Sequence, residues 1–483
     1  MKKGSTSERI GLNMAALFVS RVVGMALTLA QSAIVFRALD VEGTGQFGHA
    51  LAYTGVFNVF ATFGVQRLLV RDIARDPSTA WTQVWTAAAL VAGLSLATLG
   101  IAMAGTALAG EDAASRSAVF YAALSTIVLW ALQRPFEAML TAREEMSGVA
   151  VVNVAAAVLK LAAVAIAMRY SPTSAMAHGA IAAANLAAFL LCVGWVVRVA
   201  GWERPRVRIG LAIAQLRECM PLLLSMIFSA LYFRADMVVL NAVAGPGEAA
   251  MYTPVQRIME PLMMLSSLWG TAIFPAMSRL SAQPGAHFAM LKRSSARLAL
   301  IGAFPMAFGL AALAEPIIRL LVGAQAGDYA DAVTALRVSA LVTPFFYFNG
   351  VALEFLYAVQ RNWYVTVCYG AAAAISVAAN IAFAPGHGAI GAAWIAVAVN
   401  ASISLLFVPA IRHDLAALGL GPLLAKLMLA SAAMAGLAWA LAPWSLWAAV
   451  AAGAAAYAAL VFILRMLDAD ERTIVAGLFR RRN

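Results

Sequence analysis

Charge is scarce in this chain. Asp, Glu, Lys and Arg make up 12% of its 483 residues, about half of the roughly 25% usual in a soluble domain. So few ionic groups could not cover the surface of a soluble fold of this length. Cysteine is almost absent: Cys192, Cys219 and Cys368 lie in apolar segments or at an edge, without metal-ligand spacing. A disulfide framework and a structural metal site are both excluded by that pattern. The five histidines show no ligand spacing either. No nucleophile stands near a base and an orienting group, so no catalytic residue, metal or cofactor is assigned. Gly43-Thr44-Gly45-Gln46-Phe47-Gly48 fits a dinucleotide fingerprint literally. It lies in a turn between apolar runs with no preceding strand, which excludes that reading.

What the chain has is apolar length. Hydrophobic residues make up 63% and the mean hydropathy is +0.84. A helix crosses the hydrocarbon with about 20 apolar residues. The sequence predicts about fourteen such spans, near 10–37, 46–70, 82–109, 117–140, 148–170, 175–198, 218–243, 250–276, 297–322, 333–359, 363–384, 388–410, 423–442 and 444–466. None alternates as an outer-membrane strand would, and in lipid each segment must satisfy its own backbone groups. The expected fold is an all-α polytopic membrane protein.

Every other loop is basic. With the N-terminus inside, the inner loops hold Lys2, Lys3 and Arg9; Arg67, Arg71 and Arg75; Arg143; Arg198, Arg204, Arg206, Arg208 and Arg217; Arg279, Lys292, Arg293 and Arg297; Arg361; Arg412 and Lys426; and Arg465, Arg472, Arg480, Arg481 and Arg482. The outer loops hold Arg37, Arg116, Arg169 and Arg319, and carry acids at Glu248, Asp328 and Asp331. Cytoplasmic loops concentrate Lys and Arg, so both termini are expected in the cytoplasm of a bacterial inner membrane. The net charge of +11 then reflects topology and contact with membrane lipids rather than nucleic acid. The first apolar run is too long for a signal peptide and lacks a small-residue cleavage site.

The longest basic stretch divides the chain. It predicts an N-terminal lobe at 1–200 (spans one to six), a basic cytoplasmic linker at 201–217, a second lobe at 218–411 (spans seven to twelve), and spans thirteen and fourteen with a basic tail at 412–483. In the linker Trp202, Val207, Ile209, Leu211, Ile213 and Leu216 interleave with arginines. That suits either a solvated linker or a segment lying in the headgroup layer. The lobes are organised alike. A turn with Gly43 and Gly45 follows span one, and a turn with Gly245, Pro246 and Gly247 follows span seven. Weak internal symmetry of this kind marks transporters with a mid-membrane site between repeats. Spans thirteen and fourteen are Ala-rich and nearly without polar groups, an appended pair.

Three stretches carry a resemblance. One is Ser32–Arg75, with Arg37-Ala38-Leu39-Asp40-Val41-Glu42-Gly43 and Val65-Gln66-Arg67-Leu68-Leu69-Val70-Arg71-Asp72-Ile73-Ala74-Arg75. The second is Ala235-Asp236-Met237-Val238-Val239-Leu240, followed by Gly245-Pro246-Gly247-Glu248 and Met251-Tyr252. The third runs from Ala379-Asn380-Ile381 through Pro385-Gly386-His387-Gly388 to Ala393. Together they resemble the polysaccharide-export flippases of the multidrug, oligosaccharidyl-lipid and polysaccharide exporter superfamily. The resemblance implies two six-helix bundles in a V, alternating access, and a lipid-pyrophosphate-linked oligosaccharide as cargo. It also implies polysaccharide polymerase or synthase partners.

Ionisable groups within spans are costly and by default functional, at about 2.5–3.5 kcal/mol or more at mid-depth. Arg21, Arg134, Lys160, Arg234, Arg257 and Arg337 are the candidate cargo contacts. Arg21 and Lys160 stand near mid-span without an acidic neighbour three or four residues away. Arg134 with Glu137, and Arg257 with Glu260, share helix faces and can neutralise each other. Arg337 and Arg134 lie near enough to a boundary to snorkel. Fixed cations suit a pyrophosphate, which Arg grips as a fork and Lys as a point charge. Asp236, Glu260, Glu354 and Asn380 are the candidates for ion coupling. Pro254 and Pro261 flank Arg257 and Glu260 and are the candidate hinges.

These features predict a flippase moving a lipid-linked oligosaccharide from the cytoplasmic to the outer leaflet for surface polysaccharide synthesis. The competing readings on the same fold are a cation-coupled multidrug antiporter and a peptidoglycan lipid-precursor flippase. A membrane glycan polymerase would need a sizeable outer loop, which the short outer connections do not supply.

Overall fold

The computed structural model describes residues 6–281, 285–418, 420–468 and 471–472, with side chains from 18 onwards except 221–222 and 411–420. Lys2, Lys3, Arg480, Arg481 and Arg482 lie outside the described residues, as do the side chains of Arg9 and Arg412. The described chain is helical, with no strand. The helices are α1 (Thr6–Ala38), α2 (Val41–Thr62), α3 (Val65–Arg75), α4 (Ala80–Leu108), α5 (Ala113–Ala123), α6 (Ala131–Ala142), α7 (Met146–Tyr170), α8 (Ser174–Ala200) and α9 (Ile209–Ala244). They continue as α10 (Pro246–Ser281), α11 (Ala286–Ala312), α12 (Ala314–Val322), α13 (Ala330–Ala340), α14 (Val342–Ala358), α15 (Asn362–Leu418), α16 (Leu420–Leu441) and α17 (Leu446–Ile463).

Among the described residues, 11 helical stretches are long and apolar enough to cross a membrane. Two of them, Leu223–Ser281 and Asn362–Ala410, have 59 and 49 residues, more than one crossing needs. Each is broken inside by a glycine at positive φ, Gly245 at 87° and Gly388 at 53°. The gap expected between spans 363–384 and 388–410 is this Gly388 break, which joins two helices within α15.

Local chemistry sets the helix ends. Asp40 accepts the Gly43 N–H at 2.8 Å and starts α2, and Asp112 accepts the Ser115 N–H at 2.9 Å and starts α5. Thr173 and Ser445 cap α8 and α17 in the same way. Each such side chain satisfies a donor that the helix leaves open.

By contacts the chain forms two compact units, Met1–Thr253 and Pro254–Asn483. The division falls inside α10, at one of the expected hinge prolines, and α9 belongs to the first unit. In that unit α1 packs on α7, α7 on α8, and α2 on α9. Its interior is built around Leu69, Ile73, Trp81, Val84, Ile127, Met139 and Leu140, spaced by buried alanines such as Ala87, Ala123, Ala131 and Ala138. Lipid tails are as apolar as leucine, so close packing through small residues takes the place of the hydrophobic drive.

In the second unit the C-terminal pair is firmly packed. α16 and α17 pack on α11 through Leu300, Leu423, Leu427, Met434, Tyr457 and Val461. The Tyr457 hydroxyl donates to the Ile301 carbonyl at 2.8 Å. Beyond α17 the chain is tied down by charge. Arg297, 6% exposed, donates from Nε to Glu471, 1% exposed, at 2.6 Å, and from Nη2 to the Met466 carbonyl at 2.9 Å. Arg293 meets Asp468 at 2.8 Å. Removing one partner of such a pair strands the other charge. Arg297→Ala is therefore expected to lower stability by about 3 kcal/mol, read as a fall in thermal midpoint in detergent. An unchanged midpoint would show that the tail is not held this way.

Candidate functional site

The first unit gathers two of the expected cations. α5 leads into α6 through a π-helical stretch, Leu124–Trp130, and Pro135 follows inside α6. Proline removes a helix bond, and wide turns of this kind often sit at functional positions. Arg134 lies in α6, four residues past this stretch and directly before Pro135. Its guanidinium carbon stands 3.9 Å from the centre of the Trp130 ring, and Nη1 stands 3.0 Å from Glu137 Oε2. That contact is an ion pair without hydrogen-bond alignment. Arg134 Nε and Glu137 Oε2 are buried with no hydrogen-bond partner among the described residues.

Lys160, on α7, is half-buried and lies near enough to Arg134 for the two charges to repel. Among the described residues it has no carboxylate partner. Cys192 of α8, fully buried, stands beside Arg134 and Glu137. The cluster therefore holds two cations and one carboxylate inside a helical unit. Its surplus positive charge is one that an anion would offset, because burying an uncompensated charge is costly.

The other expected residues lie elsewhere. Arg21, on α1, is exposed and has no acidic partner among the described residues. Arg234, on α9, leans on Gly55 of α2; a Cβ there would stand 3.4 Å from its Nε. Asp236 accepts the Tyr252 hydroxyl at 2.9 Å and the Met237 N–H at 2.8 Å. In the second unit Arg257 and Glu260 pair at 2.8 Å along one face, between Pro254 and Pro261, and α10 stays helical through both prolines. Glu354 packs on Gly270, where a Cβ would stand 2.9 Å from its Oε1. Arg337 is exposed. Asn380 is fully buried; its Nδ2 donates to Ser376, while Oδ1 has no hydrogen-bond partner among the described residues.

Sequence reasoning passed over three features. The turns that follow spans one and seven meet. A Cβ on Gly45 would collide with the Pro246 carbonyl oxygen, and one on Gly48 with the Thr253 side chain. The internal symmetry pointed to both turns but not to their contact. Near that end His49, 3% exposed, lies 3.0 Å from Glu111, which also accepts from Ser115. Burial pushes the Glu111 carboxyl up, but the His49 hydrogen bond and charge outweigh it and hold it below the usual range. At the basic-loop end Arg71 of α3 joins Glu218 of α9 at 2.6 Å.

Solved structures share this fold. One titled "Lipid II flippase MurJ, inward closed conformation" matches with a TM-score of 0.74 at 15% identity, covering 94% of this chain and 98% of that one. An inward-facing multidrug resistance MATE family transporter of the MOP superfamily matches at 0.64 and 14% identity, covering 82% and 96%. A MOP superfamily transporter from Pyrococcus furiosus matches at 0.59 and 13% identity, covering 87% and 99%. No curated protein matches in sequence. The chain is thus a multi-pass membrane protein with the fold of MOP-superfamily transporters. Residues 10–281 match the family described as polysaccharide biosynthesis protein, and the chain belongs to that family.

Proposed function

We propose that this protein is a flippase. It carries a polyprenyl-pyrophosphate-linked oligosaccharide from the cytoplasmic to the outer leaflet of a bacterial inner membrane, with both termini inside, for surface polysaccharide synthesis. The observation that carries the reading is the surplus cation of the Arg134, Lys160 and Glu137 cluster. A pyrophosphate crossing a low-dielectric region needs a fixed counter-charge to offset its desolvation. A carrier of organic cations would want a surplus of carboxylates instead. Arg21, Arg234, Arg257 and Arg337 are the further cargo contacts in this reading. Asp236, Glu260, Glu354 and Asn380 are its coupling positions. The donor-free Asn380 Oδ1 suits a passing cation, because a buried carbonyl oxygen gains from one. Pro254, where the two units divide, and Pro261 are its hinges.

The test is competition for the purified protein. A polyprenyl-pyrophosphate sugar should displace a fluorescent lipid-pyrophosphate probe, and organic cations such as ethidium should not. Displacement by the cations alone would favour a multidrug antiporter. Equal displacement by a peptidoglycan lipid precursor would move the cargo to that class.

A further inference from the structure

The segment between α8 and α9 is a strap pinned at both ends. Trp202, 54% exposed, lies edge-on against aromatic rings of α4, with centroids 5.8 Å from Trp81 and 5.3 Å from Trp85, and Trp85 packs edge-on against Phe136 of α6. Trp85 Nε1 donates to the Glu203 carbonyl at 3.3 Å. At the other end the Arg208 N–H donates to Thr86 Oγ1 at 3.2 Å. One turn of α4 thus holds both feet of the strap. Arg204, Pro205, Arg206 and Val207 arch between them, all exposed.

The arch has two chemical sides. Pro205 restricts Arg204 to extended backbone, and Arg208 is extended at φ −115°, ψ 109°. Alternate residues of an extended chain project to opposite sides, so Arg204, Arg206 and Arg208 are set against Val207 and Ile209. Val207 and Ile209 are 52% and 75% exposed. The apolar side runs on into α9, where Ile209, Ile213 and Met220 form an exposed stripe. Among the described residues Arg204, Arg206 and Arg208 make no ion pair. The strap's own acid, Glu203, is exposed and makes no ion pair among the described residues, which leaves a net surplus of two positive charges, and Glu218 is taken by Arg71. Apolar groups at the end of a spanning helix, with unneutralised arginines beside them, match the boundary between acyl chains and phosphates.

We propose that this strap is a binding site for anionic phospholipid of the leaflet it faces, with Arg204, Arg206 and Arg208 on the headgroup phosphates. The pinned Trp202 and Thr86 contacts hold the arginines in place, so binding does not have to order a loose loop. Each basic residue at an anionic surface contributes about fivefold.

The test titrates the purified full-length protein with phosphatidylglycerol or phosphatidylcholine and counts retained lipid by native mass spectrometry. Wild type should prefer phosphatidylglycerol about a hundredfold. R204Q/R206Q/R208Q should lose that preference, with phosphatidylcholine binding and thermal midpoint unchanged. R204K/R206K/R208K should keep it within about threefold. Equal retention of both lipids by wild type overturns the proposal, as does full retention by the Gln variant. A loss in the Lys variant as large as in the Gln variant overturns it too, since charge would not be the cause. An acidic protein captured through these arginines, with lipid retention unaffected by their loss, would assign the surface to a protein partner instead.

Discussion

Lys160→Ala is expected to cut translocation by about 10- to 100-fold while raising the thermal midpoint. Both effects come from one arrangement. Lys160 is half-buried on α7 with Arg134 as its charged neighbour, and its electrostatic contact is repulsive. Removing it relieves desolvation and repulsion together, so the fold gains. What is lost is the cation that Glu137 does not neutralise. A hydrogen bond to a charged group contributes about 1.5–3 kcal/mol, and about 1.4 kcal/mol is tenfold, which sets the expected range. A residue kept for structure would behave in the opposite way, with stability falling and transport following it. Lys160→Arg should keep most activity, because charge and reach are preserved. Arg134→Ala should lose transport and stability together, since it strands the Glu137 carboxylate in a buried place. Transport by Lys160→Ala at wild-type rate and matched membrane level would remove the cluster from the mechanism. The measurement is flipping of a labelled pyrophosphate lipid in proteoliposomes, paired with a melting curve.

The sequence made the helical class legible because apolar length is a local property. Each crossing is written in its own 20 or so residues, and so are caps such as Asp40 and Asp112. The pairings of Arg134 with Glu137 and of Arg257 with Glu260 were legible for the same reason: residues three apart share a helix face. Contacts between helices were not. Nothing in the spacing of Arg134 and Lys160 says that α6 and α7 bring them together. The π-helical stretch before Ala131 was equally hidden, because Pro135 marks a disturbance but not its form. The strap illustrates the limit well. Its mixture of arginines with Trp and Ile fitted a solvated linker and an interfacial segment alike. The difference lies in Trp81, Trp85 and Thr86, more than a hundred residues upstream. The clasp of Arg297 on Glu471 was missed because charges near a terminus read as solvated.

Gly48→Ala is expected to impair transport about tenfold, and Thr253→Gly to restore most of it. Gly48 on α2 and Thr253, two turns into α10, touch with no space for a Cβ between them, and the Met237 methyl of α9 stands 2.5 Å from where that Cβ would be. One helical turn away Gly45 lies against the Pro246 carbonyl. These are the turns that the two halves of the sequence share, so the contact joins equivalent pieces of an internal repeat. Overpacking a fitted contact costs about 1–3 kcal/mol, and here backbone and a short side chain have little freedom to yield. If alternating access moves α2 against α10 within the first unit, this contact forms and parts in each cycle. A methyl wedge then acts on one state more than the other, and the rate falls further than the melting point. Thr253→Gly removes the Cβ and hydroxyl that the new methyl meets, and leaves only the flexible end of Met237 to swing aside. The rescue is partial, because a glycine inside a helix costs about 1 kcal/mol. A double-mutant cycle isolates the coupling, with flipping rate and thermal midpoint read on the same preparations. Additive effects on the rate would mean that Gly48 and Thr253 meet in no state the transport cycle uses. Coupling seen in stability but absent from the rate would make the contact a packing device alone, and alternating access would then have to work through another part of the molecule.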